Sequence, residues 1–208
     1  MRIQTPFEEK LNTLTHIFGA LLGVVGLILM LIHNSNKTPY SLFSIWVYGC
    51  SIIVLFTASA VYHATKSKKK KHYFRILDHI SIYLLIAGTY TPITLIALLH
   101  SKGWSLFGLE WGIATFGIIL KLFFTGKFNV FSTLLYLVMG WVIVIDYVEL
   151  KHVMDPNGVN LLFAGGVAYT FGVVFYAVEK MLYNHVIWHL FVLAGAIFHF
   201  FMIYFYVI

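Results

Sequence analysis

Charge is what this sequence has least of. Only 11% of its 208 residues are charged and eight are acidic, while 60% are apolar. An ordinary soluble domain carries about 25% charged residues. Folding at this size buries only about 70% of a chain's surface, so a water-soluble fold would have nowhere to put so much apolar area. Lipid as the solvent removes the difficulty. Cysteine is nearly absent too: Cys50 stands alone inside an apolar run, which excludes an intrachain disulfide. No internal repeat, low-complexity segment or domain boundary interrupts the chain, so residues 1–208 read as one domain. No small-residue cleavage site follows the first apolar run, only His33-Asn34-Ser35-Asn36, and the run reads as a retained span rather than a signal peptide.

What the chain does have is seven continuous apolar runs, near Thr13–Ile32, Ser41–His63, Ile76–Leu99, Trp104–Phe124, Val130–Val148, Leu161–Val178 and Val186–Ile208. Each approaches the roughly 20 residues a helix needs to cross about 30 Å of hydrocarbon. The runs do not alternate, so they read as helices and not barrel strands. The expected fold is an all-α, seven-transmembrane-helix bundle with short connectors and antiparallel neighbours, placed in a cell membrane. Basic residues divide unevenly between its two sides. Arg2, Lys10, Lys66, Lys68, Lys69, Lys70, Lys71, Arg75, Lys121, Lys127 and Lys180 fall on one, and Lys37, Lys102 and Lys151 on the other. The positive-inside rule then predicts a cytoplasmic N-terminus and an external C-terminus. The Lys66–Lys71 run, lying between two spans, reads as a topological anchor on anionic lipid and not as a nucleic-acid site.

Ionisable groups inside a membrane are costly and are functional candidates by default. Here they gather at one depth. His63 lies at the cytoplasmic end of the second span, Asp78 at the start of the third, and His185 and His189 at the start of the seventh. His185 and His189 are an i, i+4 pair, which puts both imidazoles on one helix face, a geometry that suits two nitrogens on one metal. Ser59 and His63 have the same spacing. Three neutral imidazoles with an open position form a common catalytic zinc shell, and Asp78 could hold a water beside the metal or take its proton. The blander reading is that these are histidines at a membrane interface, as His33, His72, His100 and His152 are expected to be. His79 points about 100° away from Asp78 on a helix and is expected to pack, and His199, two to three turns from His189, to hydrogen-bond inside the bundle. Glu8, Asn12 and His16 share an i, i+4, i+8 face of the first span. They could form a second shell or gate, or could cap and anchor that helix.

The chain resembles the hemolysin III family, the bacterial branch of the progestin and adipoQ receptor superfamily. The matching stretches are Glu8-Glu9 with Asn12 and Thr15-His16, Ser59 through His63, Leu77-Asp78-His79 and Ala87 through Pro92. Met139-Gly140-Trp141, Gly165-Gly166 with Tyr169-Thr170, His185 through Leu190 and His199-Phe200 complete them, in order along nearly the whole chain. The resemblance implies a seven-helix bundle with the N-terminus inside. It implies zinc held by His63, His185 and His189 near the cytoplasmic face, Asp78 contacting a water beside the zinc, and Ser59 next to the site. Adiponectin receptors and alkaline ceramidases share this constellation, and the superfamily is associated with hydrolysis of lipid amides such as ceramide. The family's name implies instead pore formation and red-cell lysis. The chain lacks the long extramembrane domain that a hormone receptor would use.

Three functions therefore stand open. A zinc-dependent hydrolase would act on an amide bond of a membrane lipid, with Asp78 and Ser59 as catalytic residues. A pore-forming cytolysin would need a polar track through both leaflets, whereas polar groups here gather at the cytoplasmic end, as in a blind cavity. A non-enzymatic membrane sensor would use zinc only to staple spans two, three and seven. The lipid and the oligomeric state are left open by the sequence.

Overall fold

The computed structural model describes residues 4–178 and 180–208; Arg2, counted above among the basic residues, lies outside them. The described residues form helices and no strand. In chain order these are α1 (Pro6–His33), α2 (Ser41–Ala64), α3 (Lys68–Pro92), α4 (Gly103–Phe124), α5 (Asn129–Trp141), α6 (Tyr147–Val153), α7 (Pro156–Ala177) and α8 (Asn184–Tyr206). A π-helical turn, Ile93–Ala97, continues α3, and a 3₁₀ turn, Val142–Asp146, joins α5 to α6. Counting α3 with its π turn and α5 with α6, seven helices are long and apolar enough to cross a membrane. The protein is a multi-pass integral membrane protein.

Local chemistry starts these helices where the sequence allows. Thr5 caps α1: its side chain accepts from the Glu8 N–H while the Glu8 carboxylate accepts from the Thr5 N–H, and Pro6 occupies the first turn. Asp155 caps α7 by accepting from the Asn157 N–H (2.7 Å), with Pro156 in the first turn. The third span begins earlier than its apolar run, because Lys68–Lys71 form its first turn. Lysine is a good helix former, and the 30 residues of Lys68–Ala97 rise about 45 Å. That length carries the lysines past the hydrocarbon, where their ammoniums can reach water.

The helices close a ring. α1 packs on α2 and α8, α2 on α3, α3 on α4 and α5, α5 on α7, and α7 on α8. α3 is the central post: 72% of its apolar window is buried in protein, whereas no other span exceeds 50%. α1 and α2 approach closely because Gly19 and Gly23 offer no side chain. A Cβ at Gly19 would lie 2.5 Å from the Phe56 ring, and one at Gly23 2.8 Å from Ile52. Mid-bundle irregularities are pinned by side chains, as lipid-free backbone polar groups require. Pro92 removes a hydrogen bond from α3 at the start of the π turn. Tyr90, just before it, donates to the Gly140 carbonyl (3.2 Å) and accepts from the Ile143 N–H (2.8 Å), bridging the α5 break. At the far end of the 3₁₀ turn, Asp146 accepts from the Ser101 hydroxyl (2.8 Å) and the Lys102 N–H (3.2 Å), tying that span to the α3–α4 turn.

Candidate metal centre

Antiparallel packing brings the last turn of α2, the first three turns of α3 and the first two of α8 to one end of the bundle, together with the start of α1. That end holds the expected residues. Among the described residues, His63, His185 and His189 form a group whose ligand atoms all lie within 4.8 Å of one another. The ring centroids are 5.0 Å apart for His63–His185, 4.9 Å for His63–His189 and 4.6 Å for His185–His189. Tetrahedral zinc with nitrogen bonds of about 2.0 Å needs nitrogens about 3.3 Å apart, a difference that rotation of the imidazoles can close. The donor atoms fit such an ion. His63 Nε2 and His189 Nδ1 are both buried and have no hydrogen-bond partner. Buried polar atoms without partners are rare and costly, and a cation among them would satisfy both. The three histidines could therefore hold a metal ion.

Carboxylate support comes from α1. His63 Nδ1–H donates to Glu9 Oε2 at 2.6 Å, and the Lys71 ammonium donates to Glu9 Oε1 at 2.5 Å. This is the arrangement by which an outer carboxylate fixes the tautomer and plane of a ligating histidine, leaving Nε2 to face the group. His16 stacks on His189 with centroids 3.6 Å apart and planes 11° from parallel.

Asp78 and Ser59 stand beside the histidines without joining them. Ser59 is 2% exposed, one turn before His63, and both Ser59 and Asp78 line a cavity that His185 and His189 also line. Asp78 has His63, Ser59 and Arg75 as its electrostatic neighbours. The cavity measures about 140 Å³ and runs from this end past Tyr90, Trp141 and Tyr169 to His199. Much of its wall is apolar, with Leu55, Ile82, Leu85, Ile86, Leu162 and Val192.

The three α1 residues separate. His16 lines the cavity. Asn12 is fully buried beside His189, and its Nδ2 donates to Gln4. Glu8 caps α1 and accepts from the Tyr183 N–H at 2.8 Å, which ties the start of α1 to the turn before α8. His79 lines the cavity on the α4–α5 side, outside the metal group. His199 donates from Nε2 to the Leu162 carbonyl (3.1 Å), the bundle hydrogen bond expected of it. His33, His72, His100 and His152 are exposed near helix ends.

Sequence reasoning missed Glu9, Lys71 and Lys121. Glu9 had a signal, because Glu9, Asn12 and His16 fall at i, i+3, i+7, one stripe of α1. Lys71 had none, standing as one lysine in a run of four.

A family model described as "Haemolysin-III related" matches residues 4–200, which include every residue of this centre. The chain belongs to the hemolysin III family. It is 44% identical over 202 residues to the protein named Hemolysin-3 from Bacillus cereus, covering 97% of this chain and 92% of that one. It is 39% identical over 200 residues to a Hemolysin-3 homolog of Bacillus subtilis (strain 168), covering 96% and 94%. More distantly, it is 29% identical over 205 residues to monocyte to macrophage differentiation factor of Homo sapiens, covering 96% and 84%. No solved structure matches the chain. The hemolysin III segments noted in the sequence meet inside the bundle: Tyr90 at Gly140, the Trp141 indole on the Thr170 hydroxyl (3.1 Å), and Tyr169 against His199. They build the cavity wall beyond the metal centre.

Proposed function

We propose that this hemolysin III protein holds zinc at His63, His185 and His189 and hydrolyses amide bonds of membrane lipids at the cytoplasmic side of the bilayer. One observation carries the reading: two rings of a three-imidazole group, His185 and His189, line a largely apolar cavity that a carboxylate, Asp78, and a hydroxyl, Ser59, also line from outside the ligand set. Three nitrogen ligands with an open position suit a catalytic rather than a closed structural site. Zinc bound there would polarise a carbonyl and ease deprotonation of water. Asp78 takes the proton of the attacking water as its oxygen bonds to the amide carbon. It returns that proton to the nitrogen as the C–N bond breaks, releasing a fatty acid and an amine. Ser59 donates a hydrogen bond to the carbonyl oxygen as negative charge grows there. Glu9 keeps the His63 ring in plane, and the apolar wall takes the acyl chain.

The test is fatty-acid release from a panel of lipid amides by purified protein, with metal content measured on each variant. Asp78→Asn is expected to keep most of the metal and lose release by about 10²-fold or more. Ser59→Ala should keep the metal with a smaller loss, near the value of one hydrogen bond, about 1–3 kcal/mol. No release from any amide by the wild type, combined with loss of metal and of thermal stability in Asp78→Asn, would make the centre a structural staple.

A second reading rests on the printed name of the Bacillus cereus relative, Hemolysin-3, which favours membrane lysis. Leakage of dye from vesicles carrying the purified protein tests it; leakage that survives His63→Ala would separate lysis from the metal centre.

A further inference from the structure

The cavity has a second polar pole that the metal centre does not use. Lys121 lies in the last turn of α4, is only 2% exposed, and lines the cavity. Among the described residues its ammonium has no ion-pair partner: the ion pairs there join Glu9 to His63 and Lys71, Asp146 to Lys102, and Glu149 to His152. The charged side chain nearest to it in influence is another cation, Arg75, which reaches over the α4–α5 turn to 3.8 Å from where a Gly126 side chain would begin. The adjoining wall is polar and underused. His79 Nδ1 and Asn129 Oδ1 are buried with no hydrogen-bond partner, and both side chains line the cavity with Ser132 and Tyr136. An imidazole tautomer and a turned amide can each present an N–H to an acceptor. Asp78 precedes His79 on α3 and so points about 100° away from it; its neighbours are His63, Ser59 and Arg75. Its charge therefore meets Arg75, and Lys121 is left without a counter-charge.

A buried cation without a counter-charge is costly in a membrane, and an anion would offset that cost. Beyond Lys121 the wall is apolar, with Leu85, Ile86, Leu162 and Val192. At about 140 Å³ the space is near that of a cavity that takes one benzene-sized group, so it holds part of one hydrocarbon chain and not two chains side by side. We infer that Lys121, with His79 and Asn129, forms an anion-binding subsite for the head of a single-chain amphiphile, a carboxylate or phosphate monoester whose chain enters the apolar limb. The subsite requires binding only and stands whether or not the protein hydrolyses amides.

Zinc-loaded protein in neutral detergent tests it, using decanoate, decyl phosphate, decanol, decyltrimethylammonium and inorganic phosphate as probes. Binding is read as a concentration-dependent rise in melting temperature. The two anionic amphiphiles should bind at least about tenfold more tightly than decanol, with no protection by the cationic amphiphile or by inorganic phosphate. Lys121→Met, which keeps the side-chain volume, should lose that tenfold preference while binding decanol and metal as the wild type does. Lys121→Arg should restore it. Equal affinity of the wild type for decanoate, decyl phosphate and decanol overturns the subsite even if Lys121→Met does not fold. An undiminished preference in Lys121→Met overturns the role of Lys121. Protection by inorganic phosphate equal to that by decyl phosphate makes the site one for a free anion and overturns the amphiphile. A preference for only one of the two anionic heads, lost in Lys121→Met, supports the subsite and identifies its head group.

Discussion

At the scale of single residues, Glu9 has the largest consequence that its position in the sequence conceals. It sits in the first turn of α1, where a carboxylate favours the helix dipole, and that role alone would account for it. Its oxygens instead accept from His63 and Lys71, two residues from two other helices. Replacement by glutamine keeps the size and one acceptor but removes the charge that orients the His63 imidazole. Outer-shell partners of ligating histidines are typically worth about 10–100-fold in metal affinity, so Glu9→Gln is expected to weaken metal binding by that factor in a competitive chelator titration. Lys71→Ala should do less, because its ammonium is partly exposed and exposed pairs contribute little. Unchanged affinity in Glu9→Gln would show that the pair does not position the ligand. Glu8, one residue earlier, is expected to behave differently, since it caps α1 and accepts from the Tyr183 N–H.

At the scale of elements, the irregular turns of the third and fifth spans are the parts the periodicity could not reveal. Apolar runs announce length and say nothing of whether a helix keeps one hydrogen-bond pattern throughout. Pro92 gives a local reason for the π turn after α3. Nothing comparable marks the 3₁₀ turn Val142–Asp146, whose sequence is as apolar as its neighbours. The two breaks are complementary because the Tyr90 hydroxyl serves both the Gly140 carbonyl and the Ile143 N–H. Tyr90→Phe leaves those groups unpaired in a buried setting, a loss of about 1–3 kcal/mol. The expected result is a lower melting temperature with metal content unchanged, since Tyr90 is not one of the three clustered histidines. An unchanged melting temperature would mean that water or lipid replaces the hydroxyl.

At the scale of the whole molecule, an odd number of spans obliges the termini to lie on opposite sides. Lys68–Lys71 stand at the same end as Lys10, Lys127 and Lys180, so the basic residues and the metal centre share a face. Lys121 belongs to that end but is buried, and it contributes to the cavity rather than to a loop. The remaining bias is still large, and reporter fusions are expected to place the N-terminus in the cytoplasm and the C-terminus outside. A cytoplasmic signal from both ends would contradict the seven-span count itself.

Hydropathy is a property of contiguous residues, which is why seven spans, their approximate limits and their basic face were legible without coordinates. Helical spacing is equally local, so the sequence determined that His185 shares a face with His189, and Ser59 with His63. Which faces meet is decided by packing between helices distant in the chain. The Glu9–His63 bond joins residues 54 positions apart, and it forms because Gly19 and Gly23 let α1 lie close against α2. The burial of Lys121 has the same origin. Three residues from a helix end, a lysine can turn to water or inward, and only the placement of α3 and α5 beside α4 turned this one into the cavity.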